Sequence, residues 1–154
     1  MKGLCKGALF MAVLAVLLSA CSTLNFAAKE ETVLEVVNLI NYGTPEELQS
    51  LSDLPFVLDG EIVFSGGTIT DFWTGLRASG FLLRDAVPVV IQEVAPGTSS
   101  RFSTSREMEI FFEKHLVEKA VCVDLETADG VFHLLLGEKR GDYPVILGFG
   151  GPVK

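Results

Sequence analysis

The chain has 154 residues, 49% of them hydrophobic and 21% charged, with 12 Lys and Arg against 20 Asp and Glu. A formal net charge of −8 argues against nucleic acid and against adhesion to anionic lipid, since both need clustered Lys or Arg.

The first residues set the compartment. Lys2 and Lys6 precede an uncharged run from Gly7 to Ala20, GALFMAVLAVLLSA, which ends at Cys21. A basic start, an apolar centre and small residues before a cleavage point make a secretory signal. A spanning helix needs about 20 apolar residues, and Ser22, Thr23 and Asn25 interrupt the run before that length. Residues 1–20 are therefore expected to be a removable signal, 21–28 a short linker, and 29–154 one domain.

Leu18, Ser19, Ala20 and Cys21 resemble the lipobox of bacterial lipoproteins. The resemblance implies a diacylglycerol on the Cys21 sulfur, cleavage before it, and acylation of the new amino group. Two or more chains anchor stably where one does not. Ser22 is not the aspartate that retains enterobacterial lipoproteins in the inner membrane, so the resemblance favours the outer membrane. An ordinary secretory signal with an incidental cysteine is the alternative.

Without residues 1–20 the chain keeps 134 residues, 10 basic and 20 acidic side chains, and a formal charge of −10. That size suits one core. Cys5 leaves with the signal and Cys21 is the acylation site, so Cys122 is alone and no intramolecular disulfide forms. It alternates with Val121 and Val123 in AVCVDL, a half-buried strand pattern, and reads as a small core hydrophobe rather than a nucleophile.

In the mature region, Val33, Val36, Val37 and Ile40 recur at helical spacing from Lys29 to Tyr42, with acids in the first turn and Gly43 at the C′ position. TPEELQSL then offers Thr44 as N-cap, Pro45 at N1 and Glu47 at N3 of a second helix. LPFVLDGEIVFSGG predicts a hairpin turning at Asp59 and Gly60. TITDFWTGLRASG predicts a third helix carrying Ile69, Phe72, Trp73 and Leu76, capped by Thr68 or Thr70. A strand at 87–94 and a loop at 95–105 follow. A helix is expected over 105–116, with Thr104 and Glu107 as capping box, although MEIFF also suits a strand. Three strands close the chain: KAVCVDLET, GVFHLLLGEK after an Ala-Asp-Gly turn, and DYPVILGF after a turn at Arg140 and Gly141.

Helices first and hairpin-linked strands later indicate an α+β fold with an antiparallel sheet. PFVLDGEIVFSG, the Phe72-Trp73 helix and the ending ILGFGGP, in this order of elements, are similar to the NTF2-like (SnoaL-like) cone. That resemblance implies a curved sheet around a long first helix, leaving an apolar pocket. A cystatin-like helix on a sheet is the alternative.

Chemistry is sparse. The chain has no GxxxxGK[ST] loop, HExxH, CxxC or calcium loop, so no cofactor and no metal are expected. His115 reads as a surface or cap residue. His133, between Phe132 and Leu134, is the first choice for a general base. NTF2-like enzymes pair an Asp with His or Tyr, and the resemblance implies Asp59 or Asp71 with His133 and Tyr143. Asp59 also suits the turn and Asp71 the first helical turn. Phe64, Trp73 and Phe112 are candidate pocket walls, although Phe56, Phe72, Phe111 and these three all suit a core.

The expectation is a membrane-anchored envelope lipoprotein with a non-enzymatic domain that binds a small apolar ligand or a protein partner. An NTF2-like isomerase, dehydratase or hydrolase using His133 and an aspartate is the second reading. A structural or assembly role is the third.

Overall fold

The computed structural model describes residues 29–153. The expected signal and linker, with Cys21, lie outside them, as does Lys154. No helix among the described residues is long and apolar enough to cross a membrane.

Helix α1 (Glu30–Tyr42) buries Val33, Val36, Val37 and Ile40, as their spacing predicts. It ends at Gly43, but not through a left-handed glycine: Gly43 has φ −69° and ψ 164°. Its amide donates to the Leu39 carbonyl at 2.7 Å, and a Cβ there would lie 2.6 Å from that oxygen. Close approach, rather than positive φ, selects glycine. Arg77 donates to the carbonyls of Ile40, Asn41 and Gly43, satisfying the acceptors that a helix end leaves open. Helix α2 (Pro45–Leu51) carries the expected capping box, with Glu47 N donating to Thr44 Oγ1 at 3.2 Å and Thr44 N to Glu47 Oε2 at 2.7 Å.

Strands β1 (Ser52–Leu58) and β2 (Glu61–Val63) form the expected hairpin. Asp59 (φ 47°) and Gly60 (φ 86°) are both left-handed, the geometry that matches the strand twist. Helix α3 (Gly66–Ala78) starts earlier than expected. Its N-cap is Ser65, because β2 stops at Val63 and the chain turns into the helix at once. Thr68 and Thr70 therefore lie inside it, and Thr70 Oγ1 donates back to the Gly66 carbonyl at 3.0 Å.

Strand β3 (Val87–Glu93) leads into a 3-10 turn (Thr98–Arg101) and helix α4 (Arg106–Phe111). The α4 cap is Ser105, whose Oγ accepts from Met108 N at 3.2 Å, one residue beyond the predicted Thr104. The helix then widens into a π turn, Phe112–Leu116. That places Met108, Phe111, Phe112 and Leu116 together in one core.

Strands β4 (Val121–Thr127), β5 (Gly130–Arg140) and β6 (Tyr143–Val153) complete a six-stranded sheet in the order β2-β1-β6-β5-β4-β3. The fold is α+β, but the sheet is mixed rather than antiparallel, because β1 runs parallel to β6. Turn signals dictate direction only for strands joined by a hairpin. The β1–β6 pair is joined by no hairpin; α2 delivers Ser52 beside Ile146, and β1 sets off in the direction of β6.

Both sheet faces are covered. Val121, Val123, Leu125, Phe132, Leu134 and Leu136 pack with residues of α1, α2 and α3, while Cys122, Leu135 and Val57 pack with residues of α4 and the π turn. Cys122 is buried completely, as a small core hydrophobe is expected to be, but its strand is enclosed on both faces rather than one. Strands enclosed on both sides carry continuous apolar runs such as FHLLL.

Candidate functional site on the second sheet face

Side chains two apart on a strand share a face, so the register defines three rows across the α4 side of the sheet. The innermost, Gln92, Cys122, Leu135, Gly148 and Val57, lies toward α4. The next is Val90, Asp124, His133 and Gly150. The outermost is Val87, Glu126, Val131 and Val153. The middle row carries the polar cluster.

Residues 95–105, a loop by composition, fold back over that row. Gly97 takes φ 89°, Ala95 N donates to Thr98 Oγ1 at 3.1 Å, and the Ser99 carbonyl accepts from both Phe102 N and Ser103 N at 2.9 Å. The turn aims Arg101 at the sheet. Arg101 Nη1 donates to Asp124 Oδ1 at 2.8 Å and lies 3.7 Å from Cys122 Sγ. The same Oδ1 is 2.9 Å from His133 Nδ1. Side-chain exposures are 25% for Arg101, 13% for Asp124 and 10% for His133.

The ion pair identifies Asp124 as an ionised acceptor, so His133 Nδ1 is the protonated nitrogen. Nε2 has no hydrogen-bond partner among the described residues, and the Phe102 ring lies 5.7 Å from the imidazole. Burial pushes the Cys122 thiol up to about 11, against the pull of the Arg101 hydrogen bond. Such a thiol is not a nucleophile at neutral pH.

A cleft of about 400 Å³ adjoins the cluster, lined by Asp59, Gly60, Arg101, Phe102 and the strand end from Gly150 to Val153. A Cβ on Gly150 would meet the Phe102 ring at 3.2 Å, so glycine permits Phe102 to lie close over this row.

The other predicted site residues lie apart from His133. Asp59 lines the cleft, but its Oδ1 accepts from Gly151 N at 3.0 Å and ties the hairpin to β6. Asp71 is exposed on α3, which packs against the opposite face. Tyr143 begins β6 beside Arg140, away from the Gly150 end. The carboxylate that meets His133 is Asp124.

Phe64, Trp73 and Phe112 do not wall one pocket. Trp73 is fully buried against Phe56, Phe72 and Phe149 in the first core, Phe112 is buried in the second, and Phe64 is 69% exposed. The sheet separates the two buried rings. His115 is exposed on the π turn, 5.1 Å from the Phe111 ring. Among the described residues, no group of three or more His, Cys, Asp or Glu side chains is placed to hold a metal ion.

The Asp124–His133 pair was legible from the turn. Thr127 pairs with Gly130 around Ala-Asp-Gly, and counting outward along an antiparallel ladder brings Asp124 opposite His133. Arg101 carried no comparable signal, because a loop has no register. No family model, curated protein or solved structure matches this chain.

Proposed function

We propose that this protein is a lipid-anchored component of the bacterial cell envelope, in the outer membrane where the host has one, whose single domain binds a protein partner. The Lys2 and Lys6 flank, the apolar run and LSAC ending at Cys21 support the anchor. The order of two helices, a hairpin, a third helix and then strands supports an NTF2-like domain.

The observation that favours a protein partner over a small apolar ligand is the placement of the aromatic residues. Trp73 and Phe112 are used up in two filled cores, while Phe64 stands on the surface. The three rings therefore wall no common pocket for a small ligand, while the sheet-edge strand β2, just before Phe64, offers a backbone edge to another protein.

The test compares the full chain with Cys21→Ser in cells fed an alkyne fatty acid, followed by membrane fractionation and chemical cross-linking. The unaltered chain takes the label, sediments with membranes and forms a discrete cross-linked adduct. A Cys21→Ser variant that is still processed and membrane-bound defeats the anchor, and absence of any adduct defeats the partner.

A second reading, acid–base catalysis, is favoured by the hydrogen bond from His133 Nδ1 to Asp124, which would hold Nε2 as a base. It requires Nε2 to be reachable beneath Phe102. Carbethoxylation of His133 as fast as of exposed His115 would support catalysis; protection of His133 would set it aside.

A further inference from the structure

Strand β2 lies at the end of the sheet, and its outer side meets no other strand among the described residues. Leu58 and Glu61 close the two-residue turn, and Phe56 pairs with Val63 two positions on. In the alternating antiparallel pattern these pairs take the hydrogen bonds to β1, so the N–H and C=O of Ile62 point outward. Phe64 follows in the same parity. Ser65 keeps an extended backbone (φ −108°, ψ 121°), so the open edge runs on to the start of α3. The opposite edge, β3, is blunted: Pro88 has no N–H, and the register shifts between Pro88 and Val90, devices that discourage pairing; β2 has neither device and is limited by its length of three residues.

The open edge also carries an apolar anchor and two nearby charges. Phe64 is 69% exposed. Beside β2 lies a cleft of about 290 Å³ formed by Gly60, Glu61, Ile62, Ser105, Glu107 and Met108. Among the described residues, no Lys, Arg or His pairs with Glu61 or Glu107. These carboxylates decide between occupants. Two copies approaching edge to edge would each present Glu61 and Glu107 to a partner of the same sign, on a chain with 20 acidic and 12 basic side chains, which disfavours association. An anionic bilayer is repelled for the same reason.

We infer that the β2 edge is a docking site for an extended, lysine- or arginine-bearing segment of an envelope protein, added as a seventh strand. Main-chain hydrogen bonds to Ile62 and Phe64 would supply affinity, and pockets for alternate side chains would supply choice. Basic side chains would meet Glu61 and Glu107, with Phe64 as the apolar anchor. This rests on the partner-binding reading above and names its surface.

The test uses the full acylated chain in neutral detergent micelles and two fluorescent nine-residue peptides, one alternating lysine with valine, the other glutamate with valine. Anisotropy is expected to show the lysine peptide binding at least about tenfold more tightly. Phe64→Ala should weaken it by about tenfold, the scale of an interface anchor. Glu61→Lys with Glu107→Lys should abolish or reverse the preference. Glu30→Lys with Glu31→Lys changes the net charge equally on α1 and should leave the preference in place.

Equal binding of both peptides, or equal effects of the two charge reversals, overturns the proposal. So does sedimentation as a dimer that Phe64→Ala dissociates, which would assign the edge to a second copy. All these substitutions lie at exposed positions, and an unchanged melting curve separates lost binding from lost folding. An in-cell adduct that survives the Glu61 and Glu107 reversal removes this surface but leaves partner binding standing.

Discussion

Asp124 and His133 face each other across the β4–β5 ladder, with Oδ1 of the carboxylate 2.9 Å from Nδ1 of the imidazole. The same oxygen holds Arg101 at 2.8 Å. One acceptor therefore fastens two donors from different parts of the chain, and the 3-10 turn to the sheet.

Removing Asp124 leaves the Arg101 charge without its partner in a mostly buried site. Asp124→Ala should cost roughly 3 kcal/mol, because an orphaned charge is more damaging than a missing pair. Arg101→Met with Asp124→Leu should recover more than half of that loss. Urea unfolding of the three proteins decides; equal losses in single and double variants would show that the ion pair is not coupled.

The Cys122 thiol should resist a disulfide reagent at pH 8 in the native protein and react at once in urea. Its folded pKa is raised from 9.0 to about 11 by burial, so the folded state holds the proton where the unfolded state releases it. The thiol's contribution to stability is thus fully present below pH 9 and lost as pH rises from 9 toward 11, a change of roughly 2 to 3 kcal/mol. Cys122→Ala should flatten the melting temperature against pH across that window. A curve that falls as steeply without the thiol contradicts this assignment.

Trp73 and Phe64 are both aromatic and only nine positions apart, yet truncation should separate them. Trp73→Ala empties a site bounded by Phe56, Phe72 and Phe149 and should cost about 3–5 kcal/mol. Phe64→Ala should stay within about 0.5 kcal/mol, as at other surface positions. Thermal or urea unfolding checks the contrast, and comparable losses would place Phe64 in the core.

Gly43, just past the end of α1, and Gly75, inside α3, should respond in opposite directions to alanine. Gly43→Ala puts a methyl 2.6 Å from the Leu39 carbonyl oxygen, forcing the α1–α2 junction apart and lowering stability by about 1–3 kcal/mol. Gly75 lies inside α3 with nothing within 4 Å of a new Cβ. Gly75→Ala should raise stability by about 0.5–1 kcal/mol. Circular-dichroism melts of the two variants test the pair.

Local signals are strong wherever neighbours along the chain determine the outcome. The capping box at Thr44 and Glu47, the Asp59-Gly60 turn, the spacing of the α1 valines and the Ala-Asp-Gly turn depend on interactions a few residues long. They could be read from the chain alone. The Asp124–His133 contact belongs with them, because a tight turn specifies register on both sides.

What lay beyond the chain's local pattern involves groups distant in sequence that meet without a hairpin. The parallel β1–β6 pair joins Ser52 to Ile146. The approach of Arg101 to Asp124 depends on how residues 95–105 fold back. The fates of Trp73, Phe112 and Phe64 depend on which sheet face, or none, receives each ring. An aromatic side chain has the same composition in a core, in a pocket and at a docking edge. Burial against elements far away in the chain separates the three, and only the tertiary structure supplies it.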